Sequence, residues 1–177
     1  MTIGEMTKLL HLLLELEKQN AIFHNLSLPA PQLRSPATEH DLTAFRNFLS
    51  SRSLVAPSSL LTLLCISNGI SNFLVLERIS LRSTWEIMEG HEADVVEWED
   101  EFGPLSQLVI GAGETGAFLA LDHTRPDQTG DFPAVVVDTG GRRDEYQSLP
   151  DFLWARLEYQ QSVARGQLAD RASLPDN

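Results

Sequence analysis

The chain has 177 residues, of which 42% are hydrophobic and 21% are charged, and its formal net charge is −12. This length and composition suit one globular domain with a sizeable core. The excess of acids argues against nucleic acid as a partner, because phosphate binding needs a basic face. One cysteine, Cys65, excludes an internal disulfide, so we expect a reduced, cytoplasmic setting.

The N-terminal part predicts a helix over residues 5–19. Its apolar residues fall at helical spacing: Met6, Leu9, Leu10, Leu13 and Leu16. His11 and Glu15 interrupt an apolar stretch that is too short to span a membrane, so we expect neither a membrane segment nor a signal peptide. Three prolines then mark a linker at Pro29, Pro31 and Pro36. We therefore predict a helical extension over residues 1–30, which packs either on its own domain or on a second copy.

Two short helices are predicted next. Thr38 can cap the first, over residues 38–50, because Asp41 three residues later completes a variant of the capping box. The second covers APSSLLTLLCISNG, residues 56–69, with a proline in its first turn and Asn-Gly at its end. The spacing predicts that four of its residues point inward: Leu60, Leu61, Leu64 and Cys65. We interpret Cys65 as a small core residue and not as a reactive thiol.

The negative charge is concentrated in one segment. After a strand predicted for NFLVLE, residues 72–77, the acidic segment begins. From Ser83 to Thr124 there are ten acids and no Lys or Arg. We expect the acidic segment to be partly helical, although Gly90 disfavours a helix. The acids form either a solvated face that keeps the protein soluble or a docking surface for a basic partner, and the sequence leaves both open.

Two tryptophans flank this acidic run. An exposed Trp is favoured at the centre of protein interfaces, whereas a buried one would belong to the core, and the sequence does not decide between these. If the segment is a docking surface, the candidate partner-binding residues are Trp85, Glu86, Glu89, Glu92, Asp94, Glu97, Trp98, Glu99, Asp100 and Glu101.

A glycine-rich stretch follows, LVIGAGETGAFLALDHTRPD. Its glycines, Gly111, Gly113 and Gly116, have the spacing G-x-G-x-x-G. This spacing is typical of dinucleotide binding only when the glycines join a strand to a helix. Here the apolar AFLAL favours a second strand, and Pro126 would interrupt a crossover helix. We therefore predict a β-hairpin with glycines in its turn and no bound dinucleotide.

Polar residues after this hairpin suggest a different site. Asp122, His123, Asp127 and Asp131 could bind a hard cation or move protons. We favour turn residues instead, because aspartate caps turns with its own side chain. Four other histidines show no zinc-like spacing: His11, His24, His40 and His91. We predict no metal site and no catalytic residue.

The C-terminal part completes the fold. Residues 132–138, FPAVVVD, and residues 143–147 predict two strands, and Ser148 caps a last helix. Trp154 on that helix is expected in the core, and residues 163–177 are expected to form a flexible tail. Helices, then strands, then a helix predict an α+β domain over residues 31–162, with a mainly antiparallel twisted sheet packed with N-terminal and C-terminal helices.

Four motifs occur in order over residues 38–160. They are the helix APSSLLTLLCISNG, the hairpin LVIGAGETGAFLALD, the strand FPAVVVD and the helix start SLPDFL. Their order and spacing resemble the SUKH superfamily, the Smi/Knr-type domain. Ala56 stands where the family usually has leucine, and Ile70 stands where a second glycine often follows Asn-Gly. The resemblance implies an antiparallel sheet packed with helices, no cofactor and no shared catalytic residues.

The resemblance also implies a binding function. Many bacterial members look like immunity proteins, which bind and neutralise a toxin, often a nuclease or a deaminase. Fungal relatives look like regulatory adaptors. We therefore expect an immunity protein whose partner is a cognate toxin with a basic domain or, alternatively, a regulatory adaptor without a toxin partner. An enzyme that uses Asp122 and His123 is the least favoured hypothesis.

Overall fold

The computed structural model of the chain describes residues 1–23, 29–74, 79–102, 107–113, 116–137 and 143–172; for 95–102 and 167–172 it describes the backbone alone. The described residues form five α-helices and one seven-stranded antiparallel sheet. The predicted α+β fold class, with helices at both ends of the chain, is confirmed. None of the helices in these ranges is long and apolar enough to cross a membrane.

The strands follow one another across the sheet in chain order, and each is antiparallel to its neighbours. The helices are α1 (Ile3–Phe23), α2 (Glu39–Ser51), α3 (Ser58–Ile66), α4 (Thr84–Phe102) and α5 (Leu149–Ala172). The strands are β1 (Gln32–Leu33), β2 (Ile70–Leu74), β3 (Ile79–Leu81), β4 (Gln107–Gly113), β5 (Phe118–Asp122), β6 (Ala134–Val137) and β7 (Arg143–Tyr146).

Local side-chain caps fix the start of two helices, as predicted. The Thr38 hydroxyl accepts a hydrogen bond from the Asp41 amide at 3.2 Å, and the Asp41 carboxylate accepts one from the Thr38 amide at 2.8 Å. At α5, the Ser148 hydroxyl accepts from the Asp151 amide at 3.2 Å. Each bond satisfies an amide that the helix itself leaves without a partner.

All five helices contribute to one hydrophobic core with alternate residues of the strands. The predicted N-terminal extension belongs to this core, because α1 buries Met6, Leu9, Leu10 and Leu13 in it. A buried polar contact also joins α1 to α5, where Arg156 donates to the fully buried Glu17 at 2.8 Å. The inner side of α5 is the predicted one, with Phe152, Leu153, Leu157 and Gln160 buried.

The glycine-rich stretch is an antiparallel hairpin, so the strand-to-helix geometry of a dinucleotide fingerprint is not present. Gly116 lies in the turn at φ +85°, in the left-handed region that favours glycine. Gly111 instead lies inside β4, next to a bulge, and a Cβ there would come within 3.1 Å of the Ser80 carbonyl oxygen on β3. A second buried cluster is formed by Val109, Phe118, Ala120, Val135 and Val137, which come from β4, β5 and β6.

Several predictions of the sequence are wrong in detail. Cys65 is exposed, because the buried side of α3 is formed by Ser59, Leu60, Leu63 and Leu64 and therefore lies a little further round the helix. Trp154 is 50% exposed, since α5 turns its neighbours Phe152 and Leu153 to the core. β3 was not predicted, and α4 is a continuous helix through Gly90.

Candidate protein interface

Hydrogen bonds of Ser83, Thr84 and Glu86 fix the start of the acidic helix α4. The Ser83 amide donates to the Glu86 carboxylate at 2.7 Å, and the Glu86 amide donates to the Ser83 hydroxyl at 3.2 Å. These two bonds form a capping box. The Thr84 amide donates to the Asn68 side-chain oxygen at 2.7 Å, which ties α4 to the end of α3. With Ile87 buried in the core, the opposite side of the helix is turned to solvent.

The outer side of α4 presents a large aromatic ring beside acids. Trp85 is 61% exposed, so the hypothesis that it belongs to the core is wrong. Glu89, one helical turn later, is exposed, and so is Glu92. An aromatic side chain that stays largely in water next to an exposed carboxylate is a feature of protein-binding surfaces.

Three arginines from other parts of the chain pair with acids of α4. Arg34, which follows β1, bonds to Glu86 at 2.7 Å. Arg52, at the end of α2, bonds to Glu92 at 3.0 Å. Arg82 pairs with Asp94 through both of its terminal nitrogens, one of them 3.1 Å from an Asp94 carboxylate oxygen.

These ion pairs reduce the number of acids on α4 that can face a partner. Asp94 is only 8% exposed and is held by Arg82, so it does not face a partner as the sequence suggested. Burial alone would raise the pKa of Glu86, but hydrogen bonds from Ser83 and Arg34 outweigh it and lower that pKa below its usual value. Glu86 therefore keeps its charge while it supports the start of the helix.

The second half of the predicted site lies on the same helix, which continues to Phe102. The side chains of five candidate residues there lie outside the described part of the structure, and nothing tests their predicted role: Glu97, Trp98, Glu99, Asp100 and Glu101.

At the β5–β6 connection, where the alternative site was predicted, Asp122 and Asp127 accept hydrogen bonds from nearby residues of the same connection. Asp122 accepts from the Thr124 amide at 2.9 Å and from Arg125 at 2.7 Å. Asp127 accepts from the Thr129 amide at 2.7 Å, as in a turn. In the described ranges, no three His, Cys, Asp or Glu side chains come together as metal ligands would.

Asp131 has a role that sequence reasoning missed. Its carboxylate accepts from the Ser59 amide at 2.9 Å and from the Ser58 hydroxyl at 3.2 Å. Pro57 precedes α3 and provides no side-chain cap, so Asp131 caps that helix from a loop 72 residues away in the chain. No local pattern near Ser59 could have indicated this contact.

Two histidines, His91 on α4 and His123 in the β5–β6 connection, each contact an aromatic ring. His123 stacks on Phe132 with the ring centroids 4.2 Å apart, and burial lowers its pKa to about 4. His91 is 3% exposed and meets the ring of Phe48 edge-on at 5.6 Å; burial and the charge of Arg52 lower its pKa. Both rings are therefore neutral at pH 7 and serve packing between α2, α4 and the β5–β6 connection.

The charge balance around α4 also depends on residues that sequence reasoning missed. Arg34 and Arg52 lie 52 and 40 residues before their partners in the chain, so no local spacing pointed to them.

In comparisons with known proteins, no family model matches the chain and no curated protein matches it significantly. The family named above stays a prediction from the motifs.

Proposed function

We propose that this chain is a cytoplasmic immunity protein that binds a toxin and neutralises it by protein–protein contact through the outer side of α4. The observation that carries the proposal is an exposed Trp85 on a helix that has eight acids and no Lys or Arg. Among the acids of α4 whose side chains are described, Glu86, Glu92 and Asp94 are paired with arginines from elsewhere in the chain, and Glu89 is exposed without an ion pair.

Electrostatics supports a basic partner. A toxin that acts on nucleic acid needs a basic cleft to hold phosphates. An acidic helix that enters such a cleft can occupy the positions of the phosphates, and the opposite charges speed the encounter of the two proteins. Fast association suits an inhibitor that must reach its toxin before the toxin reaches its substrate.

The test begins with capture. The chain is immobilised, an extract of its native host is passed over it at low salt, and the proteins released at high salt are identified. The activity of a recovered protein on DNA and RNA is then measured with and without the chain. A recovered protein whose activity falls in proportion to added chain supports the proposal. Recovery of a protein without toxic activity would support the adaptor alternative instead.

Matched charge reversals test the surface. Glu89→Lys with Glu97→Lys changes the acidic helix, whereas Glu15→Lys with Glu158→Lys makes the same change in net charge at exposed positions on α1 and α5. We expect only the first variant to lose inhibition. Equal inhibition by both variants would contradict binding through α4, and the immunity role could still hold through another surface.

A further inference from the structure

Trp85 and Glu89 lie one turn apart on the exposed side of α4. Residues four apart on a helix are neighbours, with their Cβ atoms about 5–6 Å from each other. Trp85 is 61% exposed and Glu89 is exposed as well. The indole face and the carboxylate are therefore both open to the same incoming group.

Glu89 differs from the other acids of α4 whose side chains are described. Glu86 and Glu92 are held by Arg34 at 2.7 Å and by Arg52 at 3.0 Å. Asp94 is buried and is paired with Arg82. Within the described part of the chain, Glu89 has no ion pair, so a cation from outside meets its carboxylate without displacing an internal partner.

The last helix provides a comparison within the same molecule. Trp154 on α5 is 50% exposed and is also followed four residues later by an exposed glutamate, Glu158. However, α5 carries three acids and three arginines, whereas α4 carries eight acids and no base. The same pair of side chains thus lies on a helix of balanced charge in α5 and on a helix with an excess of acids in α4.

We propose that Trp85 and Glu89 form the receiving site for one arginine of the basic partner. The guanidinium stacks on the indole face, and its edge donates two hydrogen bonds to the carboxylate. Arginine fits better than lysine because its planar fork can stack and pair at once. This inference rests on the proposed function for its partner, and it names the chemistry by which that partner is recognised.

The test uses probes that need no identified toxin. A peptide of alternating glycine and arginine is titrated into the full chain at low salt, and the same peptide with lysine serves for comparison. The readout is the NMR signal of each indole N–H, assigned with Trp85→Phe and Trp154→Phe. We expect the Trp85 signal to shift most, and the arginine peptide to bind about two- to fivefold more tightly than the lysine peptide.

Two glutamate variants with the same change of net charge complete the design. Glu89→Gln should weaken the arginine peptide about threefold, and Glu158→Gln should leave its affinity unchanged. An equal shift at Trp154, equal affinity for both peptides, no binding, or no effect of Glu89→Gln would each overturn the inference. The outcome for the proposed function is separate. It fails if no toxin is recovered, whatever the peptides do. It survives if Glu89→Gln inhibits a recovered toxin as well as the wild type does.

Discussion

The partly buried ring of His123 makes the stability of the protein depend on pH. Burial lowers the pKa of His123 from 6.5 to about 4 in the folded chain, while the unfolded chain exposes the ring to water. Between these two values the unfolded chain binds a proton that the folded chain does not. The free energy of unfolding therefore falls as the pH drops through this window, and it is fully retained above pH 6.5.

The size of the effect follows from the two pKa values. A shift from 6.5 to about 4 corresponds to a loss of about 3 kcal/mol once the pH is below both values. Between pH 7 and pH 5, the same relation gives a loss of about 2 kcal/mol. Carboxylates with lowered pKa values, such as Asp122, add to the loss mainly at lower pH.

The assay is urea unfolding of the wild type and His123→Phe at pH 7, 6 and 5. Phe keeps a ring against Phe132 but binds no proton, so the variant should lose about 2 kcal/mol less stability over this range. His123→Gln provides a second non-titrating variant if the larger ring does not fit. His11→Gln changes an exposed histidine and should keep the wild-type dependence. The same pH dependence in the wild type and in both His123 variants would show that His123 does not cause the loss of stability.

Three further substitutions test the account of the fold, each measured by urea unfolding at pH 7. Asp131→Ala removes the cap that α3 receives at the Ser59 amide and should cost about 1 kcal/mol, whereas an unchanged midpoint would show that water replaces the cap. Gly69→Ala should cost about 1–3 kcal/mol, because Gly69 has φ +99° and a Cβ would meet backbone atoms at 3.1 Å; a stabilised variant would contradict this geometry. Arg82→Met leaves the carboxylate of Asp94 buried without its partner and should cost about 3 kcal/mol, and adding Asp94→Leu should restore most of the loss. If the double variant is no more stable than Arg82→Met, the loss does not come from the unpaired carboxylate.

The features that could be predicted from sequence are those with local causes. The caps at Thr38 and Ser148 depend on residues three positions apart, so the start of α2 and of α5 could be read from the chain. The hairpin at Gly116 depends on the short distance between two apolar runs. These signals give the fold class and the order of most elements.

The features that failed depend on contacts distant in the chain or on a fine choice of helix face. α3 is apolar around most of its surface, so helical spacing alone could not place Cys65 outside the core. Trp154 follows two core residues directly, and an apolar run does not reveal which of its members faces outward. At the candidate site, the exposed Trp85 was one of two hypotheses, and the arginine partners of Glu86 and Glu92 had no local signal.

The most direct test of binding through α4 is the salt dependence of association with the partner recovered by capture. The association rate constant is measured over a range of salt concentrations for the wild type, for Glu89→Lys with Glu97→Lys, and for Glu15→Lys with Glu158→Lys. We expect the rate constant to fall steeply with salt for the wild type and for Glu15→Lys with Glu158→Lys, and much less for Glu89→Lys with Glu97→Lys. The same steep fall in all three proteins would contradict the claim that the acidic helix guides the partner.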